Sequence, residues 1–136
     1  MFKRLMMPGA ISGVLAGTAS VIYARVYSSS LGADFSLLVQ PIGIITACII
    51  GCLLASLGYW LCTKWFKGKG EIVFNLIFST LTIASILAVF TAKLPLEVEM
   101  PELFPGFAIP MHFFPALAFF TITPFFKGNK NDNKQD

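Results

Sequence analysis

His112 is the single histidine of the chain, and it stands between two prolines, in Pro110-Met111-His112-Phe113-Phe114-Pro115, inside an apolar stretch that covers 103–126. Imidazole is the side chain whose ordinary titration falls between about pH 5 and 8, so a histidine set in apolar sequence can relay protons or hold a ligand. Ionisable groups at membrane depth are costly and face a partner or a water-filled cavity. Glu97, Glu99 and Glu102 precede the ring in the chain and would meet a proton or cation arriving from their side first. Gln40 is the other polar residue suited to such a path. His112, Gln40, Glu97, Glu99 and Glu102 together make the candidate polar, ligand or proton site. The competing reading is structural: an internal proline removes one helix hydrogen bond, and His112 would then satisfy a backbone carbonyl or a water exposed by the prolines, near the outer end of its helix.

Other chemistry finds little material. Cys48 and Cys52 lie one helical turn apart and lack the two-residue spacing of a dithiol site, while Cys62 stands alone. One histidine, with no carboxylate inside any apolar stretch, supplies no zinc or di-iron ligand set, so no metal is expected. No cofactor is expected either: a haem would need His112 and a methionine such as Met7, Met100 or Met111, and spacing selects none of them. Catalytic residues are likewise absent from the reading, because no acid, base and nucleophile are paired in the sequence.

The elements that must position these residues are four uncharged apolar stretches, at 5–24, 35–63, 72–92 and 103–126, each long enough to cross a hydrocarbon core of about 30 Å. With 56% hydrophobic and 12% charged residues, the composition is that of a membrane protein. The expected architecture is an all-α bundle of four transmembrane helices in one domain, 1–126, with spans at about 5–27, 37–63, 71–92 and 105–126. The polar tail, 127–136, has no apolar anchor and is expected to be disordered on the cytoplasmic side. Lys3 and Arg4 before the first span give it the look of a secretory signal; it is read as an uncleaved anchor. Pro105, Pro110, Pro115 and Pro124 make the fourth helix a broken one, starting either near Pro105 with a kink or only at Pro110. Before it, Leu96-Glu97-Val98-Glu99-Met100 alternates with period two, as an extended segment resting one apolar face on the bundle would.

Small residues recur at helical spacing. Gly9, Gly13 and Gly17 fall on one stripe of the first span, and Gly43, Ala47, Gly51 and Ala55 on one stripe of the second, beside Cys48, Cys52 and Ser56. Such stripes let backbones approach closely, which is a main source of packing energy in lipid. The two spans are expected to pack along them as a glycine zipper, within the chain or between copies. Asn75, just over a turn inside the third span, is expected to bond a neighbouring helix. Arg25 is expected to snorkel to a lipid phosphate or to Asp34.

Function is less constrained. The leading expectation is a non-enzymatic subunit, accessory or assembly component of a membrane complex, with the lipid bilayer and a protein partner or second copy as its contacts, and no nucleic acid. The alternatives are a small oligomeric transporter or channel with His112 near the outer entrance, and a membrane enzyme or binder of a hydrophobic ligand such as a quinone or lipid. Eight of the ten Lys and Arg residues lie in the N-terminus, the second connection and the tail, so the positive-inside rule puts both termini in the cytoplasm, in a bacterial inner membrane. Reporter fusions after Lys69 and Lys127 are therefore expected to read as cytoplasmic and one after Glu99 as external; a cytoplasmic signal at Glu99 would overturn this topology.

Overall fold

In lipid a backbone must satisfy its own hydrogen bonds, and every long apolar stretch of this chain does so as a helix. The computed structural model describes residues 2–126, with side chains from Met6 onward, so the tail expected at 127–136 lies outside the described residues. Its helices are α1 (Phe2–Leu31), α2 (Pro41–Trp65), α3 (Gly70–Thr91) and α4 (Phe104–Phe126), with a 3-10 turn at Pro101–Leu103 leading into α4. All four are long and apolar enough to cross a membrane. The chain is an integral membrane protein, all-helical across the described residues.

Local chemistry sets the helix ends. Gly32, at φ +68°, stops α1 and returns its N–H to the Ser28 carbonyl at 2.9 Å, as a left-handed glycine after a helix does. α2 starts at Pro41, where a missing N–H costs nothing, four residues later than the expected 37. The intervening segment turns instead, with Leu38 and Val39 both donating to the Phe35 carbonyl at 3.0 Å and Phe35 itself buried against Phe107. α4 begins at Phe104, the earlier of its two expected starts, and carries Pro110, Pro115 and Pro124 within it.

Packing centres on α1, which lies antiparallel between α2 and α4. Its buried residues among those described, Pro8, Gly9, Ser12, Gly13, Ala16, Gly17 and Ser20, are all small, so neighbouring backbones come close. A Cβ at Gly13 would stand 2.6 Å from Ile49 Cα, and one at Gly17 3.0 Å from Ile45 Cα; one at Gly9 would strike the Ser56 side chain and the Cys52 carbonyl. The facing surface of α2 is therefore Ile45, Cys48, Ile49, Cys52 and Ser56. Gly43 and Gly51, expected on this contact, are elsewhere: nothing lies within 4 Å of a Cβ built at either, and Ala47 beside them is exposed while Ala55 is buried against Phe74 and Phe119. The stripe of α2 turns about one residue's angle away from α1, because the bulk of Ile45 and Ile49 fits over glycine and a glycine would not fill that space.

α3 is the loosely held element and makes no contact with α1. It is the least buried of the four helices, and α1 the most. Gly70 fixes one end by sitting on the backbone of Cys62 and Thr63, next to an aromatic cluster in which Phe74 meets Tyr59 edge-on at 5.3 Å and stacks on Phe78 at 5.3 Å. Val89 is its only other buried apolar residue among those described. Two expectations fail in this half of the molecule. Asn75 is exposed and bonds no described residue, because none of the described helices covers its face of α3. The 96–100 segment is a turn, with Val98 N–H on the Pro95 carbonyl at 3.2 Å; Val98 alone is buried while Leu96 and Met100 are exposed, since a turn cannot keep alternate residues on one face.

The two glycine stripes are thus expected to respond differently to the same substitution. Gly13→Leu would force α1 from α2 and cost about 1–3 kcal/mol or more, whereas Gly51→Leu would extend into open space and leave the thermal midpoint in detergent within about a degree or two of the parent. Equal loss in both variants would contradict this packing.

Candidate functional site

Pro110 determines what surrounds His112. Having no N–H, it leaves the Gly106 carbonyl one turn earlier without its helical donor, and an uncompensated carbonyl in lipid costs several kcal/mol by about the usual estimates. Tyr23 of α1 supplies the bond: its hydroxyl donates to Gly106 O at 2.7 Å. One turn along α1, the Tyr27 hydroxyl donates to Leu103 O at 2.9 Å. The two rings lie 5.7 Å apart, and Gly106 has no side chain because a Cβ there would come 2.5 Å from the Tyr27 hydroxyl. Sequence reasoning passed over both tyrosines. Their signal was available: two phenols at i and i+4, on the side of α1 that an antiparallel fourth helix must meet, opposite a proline.

His112 lies eight residues past Phe104, about 12 Å along α4, and its Nδ1 is 2.8 Å from the Ala108 carbonyl. A carbonyl only accepts, so Nδ1 carries a proton, and in the neutral form of the ring Nε2 is then the free nitrogen. The bond reaches back within α4 to a carbonyl that no proline has freed, not to the Gly106 or Met111 carbonyls that prolines release. Beside the ring are two neighbouring cavities between α2, α3 and α4, of about 370 and 510 Å³, both partly open and both lined by Ser85, His112 and Pro115. One extends along α2 past Gly51 and Gly58 to Cys62, the other past Ala47 and Gly43 to Val39. The uncovered small-residue stripe of α2 is their floor.

The other expected site residues are not gathered here. Gln40 is exposed at the start of α2, where its side chain makes no capping bond, and Glu97, Glu99 and Glu102 are exposed in the connection before α4. None of them lines either cavity beside His112. Asp34 accepts from the Ser36 N–H at 2.8 Å, and these Ser36 hydrogen bonds hold its carboxyl below the usual carboxylate range; Arg25 forms no ion pair with it. The thiols join the packing: Cys48 Sγ lies 3.9 Å from Ser20 Oγ, and Cys52 donates to the Pro115 carbonyl at 3.8 Å. No three His, Cys, Asp or Glu side chains among the described residues come together as a metal site. Comparison with protein-family models, with curated proteins and with solved structures finds no match to this chain.

The tyrosine and proline compensation is expected to show as coupling. Tyr23→Phe keeps the ring, strands the Gly106 carbonyl and costs about 1–3 kcal/mol; in a Pro110→Ala background, where the helical donor is restored, the same change is expected to cost less than half as much. A double-mutant cycle on thermal unfolding measures it, and additive effects would mean that Tyr23 does not serve this carbonyl.

Proposed function

We propose that the protein is a non-enzymatic component of a membrane complex, a subunit or accessory factor, that docks the transmembrane helix of another protein on α3. The observation that carries this reading is Asn75. It lies five residues into α3, about 8 Å along the helix axis, exposed and without a partner among the described residues. Ser79, one turn further on the same face, is exposed as well. Carboxamides facing hydrocarbon are expensive, and polar side chains of this type bond across helix interfaces in membranes. A partner helix with a donor or acceptor opposite Asn75 removes that cost, and it would cover the helix that its own bundle covers least. We place the protein in a bacterial inner membrane with both termini cytoplasmic and with α4 broken by its prolines; the distribution of basic residues supports this orientation.

The test is extraction of tagged protein from its native membrane in mild detergent, in parent and Asn75→Leu forms. The expected result is a stoichiometric partner protein whose recovery falls about fivefold or more in Asn75→Leu, with the thermal midpoint unchanged. A partnerless monomer, or a partner retained in full by the variant, would overturn the proposal; a homo-oligomer in place of a foreign partner would replace it with self-association.

A further inference from the structure

The groove formed by the two cavities at His112 is a second feature, separate from the Asn75 face and independent of the reading built on it. Its floor runs from Gly43 to Cys62 of α2, about 30 Å, and its walls are apolar side chains of α3 and α4. On α1 the same small-residue device is filled by a neighbouring backbone; on Gly43 and Gly51 nothing occupies it. What fits is limited by volume. The two cavities hold about 370 and 510 Å³. That size is in the range of small-molecule sites, roughly 300–1,000 Å³, and its length and narrowness match one hydrocarbon chain.

The polar groups in the groove then select the head of that chain. Ser85 donates its hydroxyl proton to the Thr82 carbonyl at 2.7 Å, Thr82 donates to the Phe78 carbonyl at 2.8 Å, and His112 uses its Nδ1 proton on Ala108 at 2.8 Å. All three of these donors are therefore taken by the helices themselves, and what these side chains still offer is acceptor capacity: the hydroxyl oxygens and, when the imidazole is neutral, the Nε2 lone pair. A ketone, an ester or an ether would find no proton from these groups, whereas a hydroxyl has a proton to give them.

The geometry points to a binding site for a long-chain alcohol, its hydrocarbon chain lying along the Gly43–Gly51 floor between α2, α3 and α4 and its hydroxyl donating to His112 Nε2. The site is reached sideways from the bilayer, where such a molecule is dissolved. Alkyl and isoprenoid alcohols share this chemistry, and the chain of the probe separates them.

The experiment uses the full chain in phosphatidylcholine vesicles with two photoreactive probes, a long-chain alkyl alcohol and an isoprenoid alcohol, each carrying a diazirine in its tail, and the methyl ether of each. The expected result is labelling of α2 and α3 peptides that line the groove by at least one alcohol, about five- to tenfold weaker labelling by its ether, and a shift of the His112 Nε2 resonance on addition of the alcohol but not of the ether. Preference for one alcohol names the chain class. Gly51→Leu, whose Cβ would stand on the floor with no atom within 4 Å, is expected to lower alcohol labelling to the level of the ether. Equal labelling by alcohol and ether, label confined to the lipid-facing side of α1, or labelling unchanged in Gly51→Leu would each overturn the site.

Discussion

The close approach of α1 to α2 is the contact on which the remaining structure depends. A membrane offers no hydrophobic force between helices, so attraction must come from packing and from hydrogen bonds, and both grow as backbones approach. Gly13 over Ile49 and Gly17 over Ile45 bring them near the limit that atoms allow. With every described buried position of α1 small, the helix fits between α2 and α4 and can present Ser12, Ser20, Tyr23 and Tyr27 to them. Ser56 records the cost of this fit: its buried hydroxyl, held against Gly9, has no hydrogen-bond partner among the described residues.

From that contact follows the treatment of the proline-bearing helix. α4 alone would leave the Gly106 carbonyl bare, and the remedy lies on another element, Tyr23, which is in place only because α1 is. Proline and tyrosine therefore form a tertiary unit. The same unit fixes the stretch of α4 that carries His112, so the imidazole stands in a defined position about one third of the way along its helix.

The third helix shows the opposite regime. It is anchored by Gly70 and the Phe74–Phe78 aromatic cluster at one end and by Val89 near the other, and between them it stands off from α2 and α4 enough to leave the groove. Tight packing on one side of α2 and separation on the other are two uses of one kind of sequence. Glycine permits closeness without requiring it. Whether a small-residue stripe becomes an interface or a cavity floor depends on which large residues stand opposite: Ile45 and Ile49 fill the space toward α1, whereas Ser85 and Pro115 leave space toward α3 and α4.

The sequence by itself determined the four apolar helices, because span length and hydropathy are properties of neighbouring residues, while α2 starts at Pro41 and not at the expected 37. It also singled out His112 and the glycines of α1, whose meaning comes from type and period. Only the tertiary structure decided which stripe of α2 meets α1, since two adjacent stripes differ by the angle of one residue and either would satisfy the period. It alone paired Tyr23 with Gly106 and left Asn75 uncovered, for those facts depend on residues 83 positions apart in one case and on the absence of a neighbouring helix in the other. The carboxylates Glu97, Glu99 and Glu102 precede His112 in the chain but not in space, because the connection before α4 holds them outside the bundle while the helix carries the ring about 12 Å inward.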